Sequence, residues 1–150
     1  MFVGIQTEIY GVDSERNNIG SKLPPLWSVF LSRLSEIENT VPGRCYGVVR
    51  PAKYEGEELL YCAGVEVESD ESETLIPEGM VRFEIPASRY AVFQHRGLPA
   101  ALDHTVNYIY SVWMAQSSER HSYGADIEIY GSEYSAESED SIISYAIPLR

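Results

Sequence analysis

Residues 125–130 read Ala-Asp-Ile-Glu-Ile-Tyr, a short stretch in which polar and apolar side chains alternate. Because successive side chains of a β-strand point to opposite faces, Ile127 and Ile129 share one face, and the two acids share the other with Tyr130. Two interpretations of Glu128 follow. Its carboxylate points at water, since carboxylates are seldom buried without a partner, or it faces an aromatic cavity in which a cationic ligand would pair with it.

The segments before this stretch predict a first half built as strand, helix, strand, strand. The helix begins at the proline pair 24–25, because proline is tolerated in a first helical turn, and its apolar residues recur at helical spacing. The predicted elements are strand Phe2–Ile9, a helix with the stripe Leu26, Phe30, Leu34 and Ile37, strand Cys45–Val49, hairpin loop Pro51–Glu58, strand Leu59–Val67 and the acidic linker Glu66–Glu73.

The second half repeats this order of elements. Pro99 begins a helix that continues to about Ala115, and its apolar residues again follow steps of three and four. The predicted elements are strands Met80–Ile85 and Ser88–His95, a helix with the stripe Leu102, Val106, Ile109 and Trp113, strand Ala125–Tyr130, the acidic loop Gly131–Asp140 and strand Ile142–Leu149.

The recurrence predicts an α+β fold made of two βαββ units, at about residues 1–68 and 80–150, within a single domain. Their strands would join side by side in a mainly antiparallel sheet, with the helices covering one face. We expect a ligand cleft between the halves, on the concave face opposite the helices, because concave surfaces between repeated units are usual binding sites.

Composition narrows the classes of function. The chain has 150 residues, with 23 Asp and Glu against 11 Lys and Arg, and a net charge of −12. Nucleic-acid backbones require the opposite balance, so direct nucleic-acid binding is not expected. An acidic field instead favours cationic small molecules, although it also serves solubility alone. No apolar run is long enough for a membrane span, no signal peptide is visible, and two cysteines suit a reduced, cytoplasmic protein.

Motifs for metal, cofactor or nucleophile chemistry are not found in the sequence. The three histidines lack metal-ligand spacing, and Cys45 and Cys62 do not form a Cys-x-x-Cys pair. There is no glycine-rich phosphate loop, and no serine has the setting of a nucleophile elbow. The sequence therefore predicts no cofactor and no metal, and names no catalytic residue.

Several short segments, in this order along nearly the whole chain, carry a resemblance to a known family. They are Val3-Gly4-Ile5, Leu26-Trp27-Ser28-Val29-Phe30, Tyr46-Gly47-Val48, Tyr61 to Val67, Ile85 to Phe93, His95-Arg96-Gly97, Ile109-Tyr110-Ser111-Val112-Trp113, Ala125 to Tyr130 and Tyr145 to Leu149. With these segments the chain resembles the GyrI-like small-molecule-binding domains, which also occur as effector-binding domains of bacterial multidrug-responsive transcription activators.

The resemblance implies where a ligand would bind. In the family, the acid that matches Glu128 lies at the bottom of the cleft, and aromatic side chains stack on flat, often cationic, lipophilic compounds. Tyr108 replaces Tyr110 if the helix is rotated by a residue or two. The implied ligand-binding residues are Glu128, Trp27, Tyr46, Tyr61, Tyr110, Trp113 and Tyr145.

Three functions are consistent with these patterns. The first is a cytoplasmic binding protein for lipophilic, cationic or aromatic small molecules, acting as a drug sensor or a sequestration module. The second is a hydrolase of reactive small molecules with Glu128 as acid or base, and the third is an acidic module that inhibits a protein partner. The sequence shows no DNA-binding region before residue 2, so we expect a standalone form that works as a homodimer or beside a separate regulator.

Overall fold

The computed structural model describes residues 1–11, 14–52, 56, 58–68 and 76–150. The predicted hairpin loop Pro51–Glu58 and the acidic linker Glu66–Glu73 lie partly outside the described residues. The strands are β1 (Phe2–Tyr10), β2 (Cys45–Pro51), β3 (Glu58–Glu66), β4 (Val81–Phe83), β5 (Arg89–Arg96), β6 (Asp126–Tyr130) and β7 (Ile142–Leu149).

Two helical segments accompany the strands. The first is α1 (Ile19–Arg33), continued by a 3₁₀ turn over Leu34–Glu36. The second is irregular: a 3₁₀ turn (Pro99–Ala101), α2 (Leu102–Tyr108), a π-helical turn (Ile109–Trp113) and α3 (Met114–Gln116). None of the described helices combines the length and the apolar character that crossing a bilayer requires.

Helix α1 begins five residues earlier than the sequence predicts, so both prolines lie inside it. The Asn17 side chain accepts a hydrogen bond from the Ile19 amide at 3.0 Å, which satisfies a donor of the first turn. Each proline removes one helical hydrogen bond but keeps a helical φ. The carbonyls four positions earlier belong to exposed residues and can bond to water. This explains why the helix tolerates the two prolines.

The strands form one seven-stranded sheet in the order β4-β1-β3-β2-β6-β7-β5, and each pairing of described strands is antiparallel. Apart from the edge strand β4, this order is symmetric: β1-β3-β2 meets β6-β7-β5, and the halves join where β2 pairs with β6. The predicted fold class, with two βαββ units in a mainly antiparallel sheet, is confirmed.

Both helical segments pack on the same face of this sheet, as predicted. Phe30 of α1 packs with Val3 and Tyr61, and Ile109 packs with Tyr145 in a second core. The position of the cleft was predicted wrongly, however. It opens on the helix-bearing face, between the two helical segments, because each helix covers only the outer strands of its own half and leaves the central pair uncovered.

The opposite face carries a third apolar core around Tyr46, Val48 and Cys62, with Ile85 packed against it. The connection over residues 84–88 joins β4 at one edge to β5 at the other edge. Because Ile85 packs on this core, the connection crosses the back of the sheet and covers part of its apolar surface.

Candidate functional site

A cavity of about 940 Å³ lies between α1 and α2, with the central strands as its floor. Its size falls in the range of sites for drug-sized molecules. Apolar and aromatic side chains form the walls, whereas two carboxylates of β6 stand on the floor. The wall residues include Leu23, Trp27, Leu59, Leu102, Val106 and Tyr134.

Glu128 is the best-defined polar group of the floor, with 7% of its surface exposed. Its Oε1 accepts hydrogen bonds from the hydroxyl of Tyr61 at 2.6 Å and from that of Tyr130 at 2.8 Å. Among the described residues, none donates a hydrogen bond to Oε2. One oxygen is thus held by the protein, and the other keeps its acceptor capacity on a residue that lines the cavity.

Burial raises the pKa of Glu128 from its usual 4.5 to about 7, since the charged form loses its hydration. The two tyrosine hydroxyls oppose this rise, because they donate to the charged form, and the negative charges of Asp103 and Asp126 add to it. Near neutral pH the carboxyl group therefore changes its charge readily when a positive or negative group comes close.

A chain of hydrogen bonds that begins on helix α1 holds the Glu128 carboxylate in position. The indole Nε1 of Trp27 donates to the Tyr61 hydroxyl at 2.9 Å, and that hydroxyl donates to Glu128. Burial and the carboxylate raise the pKa of Tyr61 well above 10, so the hydroxyl keeps its proton and stays a donor. The Trp27 ring also meets the Tyr130 ring edge to face, with centroids 5.1 Å apart.

Asp126, two residues before Glu128 on the same face, is also 7% exposed. Its Oδ2 accepts hydrogen bonds from the Tyr145 hydroxyl at 2.9 Å and from the Tyr110 hydroxyl, and its Oδ1 lies 2.8 Å from Nε2 of His121. Burial and the negative charge of Asp126 raise the pKa of Tyr145 well above 10. This acid is therefore enclosed by donors from the second half of the chain.

The backbone defines the tautomer of His121. The amide of Tyr123 donates to Nδ1 of His121 at 2.8 Å, so Nδ1 is an acceptor and Nε2 carries the ring proton toward Asp126. Tyr123 has a φ of +65°, which is uncommon for a residue other than glycine. The imidazole thus links an exposed tyrosine at the cavity mouth to an acid on its floor.

Five of the seven residues proposed as ligand-binding line this cavity: Glu128, Trp27, Tyr61, Tyr110 and Tyr145. The phase of the second helix is settled as well. Tyr110, and not Tyr108, reaches the cavity, where its hydroxyl meets Asp126. These five residues therefore share one cavity. Their contact with a ligand stays a prediction.

Tyr46 and Trp113 are not brought to this cavity. Tyr46 lies on the opposite face of the sheet, where its ring packs edge to face on Phe2 at 5.1 Å. Alternation along β2 gives the cavity Cys45 and Val49 instead. Trp113 packs on Phe93 of the second core, with centroids 5.0 Å apart.

Several polar or aromatic residues of the site were missed as candidates, among them Asp126, Tyr130, His121 and Tyr134. The first two were visible in the alternation, which places both on the face of Glu128. The other two lie in loops. Loops have no regular periodicity, so the sequence does not predict where these two side chains point. Within the described part of the chain, no three His, Cys, Asp or Glu side chains are grouped as a metal ion would require.

Comparison with curated proteins finds the transcriptional regulator BrlR of Pseudomonas aeruginosa, 34% identical over 116 residues. The match covers 77% of this chain but 41% of that regulator. The chain thus spans less than half the length of this relative.

Solved structures share the fold at low sequence identity. A protein solved with tetraphenylphosphonium bound, SAV2435, superposes with a TM-score of 0.74 at 15% identity, covering 99% of this chain and 87% of that one. An integron cassette protein from Vibrio cholerae has a TM-score of 0.69 at 18% identity, with coverage of 99% and 89%. Both support the sheet and helix arrangement described above.

Residues 2–150 match the family described as the GyrI-like small molecule binding domain. The match includes both halves and every strand of the sheet. The chain therefore belongs to the GyrI-like small molecule binding domain family.

Proposed function

We propose that the chain forms one effector-binding domain for lipophilic, cationic or aromatic small molecules, with Glu128 as the anchor. One observation carries the proposal: a buried carboxylate keeps one oxygen for the cavity while two tyrosines hold the other. Ionising a buried carboxyl group costs free energy when no cation is near, and a bound cation offsets that cost.

The walls add affinity that depends little on the shape of the ligand. Rings such as Trp27 and Tyr130 attract a cation over their faces by about 0.5–2 kcal/mol each. Stacking and apolar burial act on any flat lipophilic compound of suitable size. We therefore expect a site that accepts several related cations rather than a single metabolite.

Two of the comparisons support this proposal. The neighbour SAV2435 was solved with a lipophilic cation bound, and the relative BrlR is a transcriptional regulator. We infer that the domain acts in the cytoplasm as a drug sensor or a sequestration module. A homodimer or a separate regulator would then pass on the signal.

The test uses tetraphenylphosphonium as the probe and isothermal titration calorimetry as the measurement. Glu128→Gln keeps the shape of the side chain but removes its charge, so affinity should fall at least tenfold, about 1.4 kcal/mol. Glu139→Gln, the same change at an exposed position, controls for the overall field of the protein. Equal affinities of wild type and Glu128→Gln would remove the carboxylate from the site.

A second candidate function is hydrolysis of a reactive small molecule. The observation that favours it is a carboxyl group with a pKa of about 7, which suits a general base near neutral pH. Glu128 would take a proton from a water molecule while the water oxygen bonds to a carbon of a strained ring. The bond from that carbon to the ring heteroatom breaks, and the heteroatom takes up the proton from Glu128. Turnover of such a compound by wild type, and its loss in Glu128→Gln, would distinguish an enzyme from a binding protein.

A further inference from the structure

We propose that Asp126 makes this cavity selective for elongated ligands with two positive charges, one beside each carboxylate of β6. The inference rests on the proposed function and adds a second anchor to it. It names both the class of ligand and the residue that selects for it.

The spacing of the two acids is the first step. Asp126 and Glu128 are two residues apart on the same face of a strand, so their side chains leave the backbone about 7 Å from each other. Both are 7% exposed and both line the one cavity. The floor therefore holds two separate negative groups within the length of one ligand.

The symmetry of the sheet shows that these are two positions and not one cluster. Tyr61 is in the middle strand of the first half, and Tyr145 is its counterpart in the second half. The hydroxyl of Tyr61 donates to Glu128, whereas that of Tyr145 donates to Asp126. Each acid is held by the tyrosine of a different half.

Each acid also has its own flat rings. Trp27 and Tyr130 are adjacent at Glu128, as described above. At the other acid, the Tyr110 and His121 rings have centroids 6.0 Å apart, and the His121 and Tyr123 rings 6.1 Å apart. A planar cationic group thus finds aromatic faces at either end of the floor.

The charged side chains of the cavity lining determine how many positive charges a ligand should carry. Asp103 is a third carboxylate of the lining, and its negative charge acts on Glu128. Arg50 also belongs to the lining, but its guanidinium bonds Gln6 at 2.8 Å and lies 4.1 Å from the ring centroid of Phe83, which packs on the opposite face. His121 donates from Nε2 while its Nδ1 accepts, which is the neutral form. Within the described residues, no lysine or arginine side chain offsets the acids here.

These charges distinguish a ligand with one charge from a ligand with two. A single cation pairs with Glu128, the anchor, and favours its ionised form, so that Asp126 gains no cationic partner. A second cationic centre pairs with Asp126 and also lowers the pKa of Glu128 further, so binding of the dication releases more protons to the solvent. The two classes of ligand should therefore differ in affinity and in the number of protons released.

The probes are a bis(pyridinium) salt bridged by para-xylylene and its isostere, in which a phenyl ring replaces one pyridinium. The two compounds share their shape and differ by one charge. We expect the dication to bind wild type at least tenfold more tightly in calorimetry. In Asp126→Asn the dication should fall to the affinity of the monocation, whereas Asp140→Asn, an exposed control, should keep the preference.

A second measurement needs no variant. Titrations of wild type at pH 6.5 in buffers with different ionisation enthalpies should show more protons released by the dication than by the isostere. Equal affinity and equal proton release for the two probes would overturn the role of Asp126 and leave the proposed function intact. Failure of both probes and of tetraphenylphosphonium to bind would instead refute the proposed function. Circular dichroism and thermal unfolding verify that Asp126→Asn is folded. If that variant does not fold, the number of protons that each probe releases from wild type tests the role of Asp126.

Discussion

Gly47 of β2 lies directly opposite Glu128 of β6, and its missing side chain leaves the space in which the Tyr61 hydroxyl meets the Glu128 carboxylate. A methyl group at this position would overlap both groups. Gly47 has no positive φ to explain a glycine. The need for glycine here is therefore one of space above the floor of the cavity.

Gly47→Ala should accordingly lower the free energy of unfolding by about 1–3 kcal/mol, as overpacking of a filled interior does. It should also weaken tetraphenylphosphonium binding, because the Tyr61–Glu128 hydrogen bond must break or shift. Urea unfolding and calorimetry measure the two effects. The control for the unfolding measurement is Gly20→Ala in α1, where an added methyl meets nothing within 4 Å and should stabilise the helix by up to about 1 kcal/mol. A similar change in the free energy of unfolding for the two variants would contradict the steric explanation.

Glu128 should give the protein a distinctive pH dependence. Its pKa is raised from 4.5 to about 7, so between these values the folded state binds the proton more tightly than the unfolded state. The contribution of Glu128 to the free energy of unfolding is then fully present below pH 4.5 and is lost as pH rises through 7. The loss amounts to about 3 kcal/mol at most.

Other carboxylates titrate in the same range, so the measured quantity is the difference between wild type and Glu128→Gln. Urea unfolding at pH 5 and pH 8 should show the variant gaining stability relative to wild type as pH rises. A difference that does not change with pH would mean that the carboxyl group titrates normally in the folded protein.

Tyr61→Phe should raise the pKa of Glu128 further, because the Tyr61 hydroxyl donates to the charged carboxylate and lowers that pKa. The variant also leaves Nε1 of Trp27 without its acceptor, at a cost of about 1–3 kcal/mol. Carboxyl titration by NMR measures the pKa. Tyr46→Phe removes a hydroxyl on the opposite face and should leave the titration of Glu128 unchanged; a shift in that control would show that the effect is not local.

The two tryptophans should report ligand binding differently. Trp27 lines the cavity, whereas Trp113 packs on Phe93 in the second core. A lipophilic dye cation should therefore quench wild type and Trp113→Phe alike. Trp27→Phe should lose most of the quenching, and the reverse result would place the ligand outside the cavity described here.

The sequence predicted the fold better than it predicted the walls of the site. Alternation in residues 125–130 was sufficient to place Glu128 and Tyr130 on one face, and β6 and β7 lie where the patterns put them. The pattern of β6 is reliable because its acids and Tyr130 share one face and its isoleucines the other. The repeated order of elements then predicted the symmetric sheet.

Tyr46 shows where such patterns fail. Both faces of β2 are buried, so the apolar residues Tyr46 and Val48 could not be assigned to the cavity or to the back of the sheet from alternation alone. The decisive feature is the connection that crosses the back, which depends on contacts distant in the sequence. Because this connection packs on the back of the sheet, the cleft opens on the helix-bearing face instead.

The apolar stripe predicted for the second helix is confirmed, because Leu102, Val106, Ile109 and Trp113 all pack in the second core. The error was to place Trp113 in the ligand site. Within the π-helical turn over Ile109–Trp113, Tyr110 is directed at the cavity and Trp113 at the core. Periodicity alone does not show which residues of a helix reach a cavity.

The meeting of β2 and β6 has a consequence for how the binding property arises. Gly47, Glu128 and their partners come together only after both halves have formed and joined edge to edge. A chain with one half unfolded would present an open strand edge and no cavity floor. Molecules that occupy the cavity would thus recognise the completed protein alone, and their binding would report on assembly of the entire sheet.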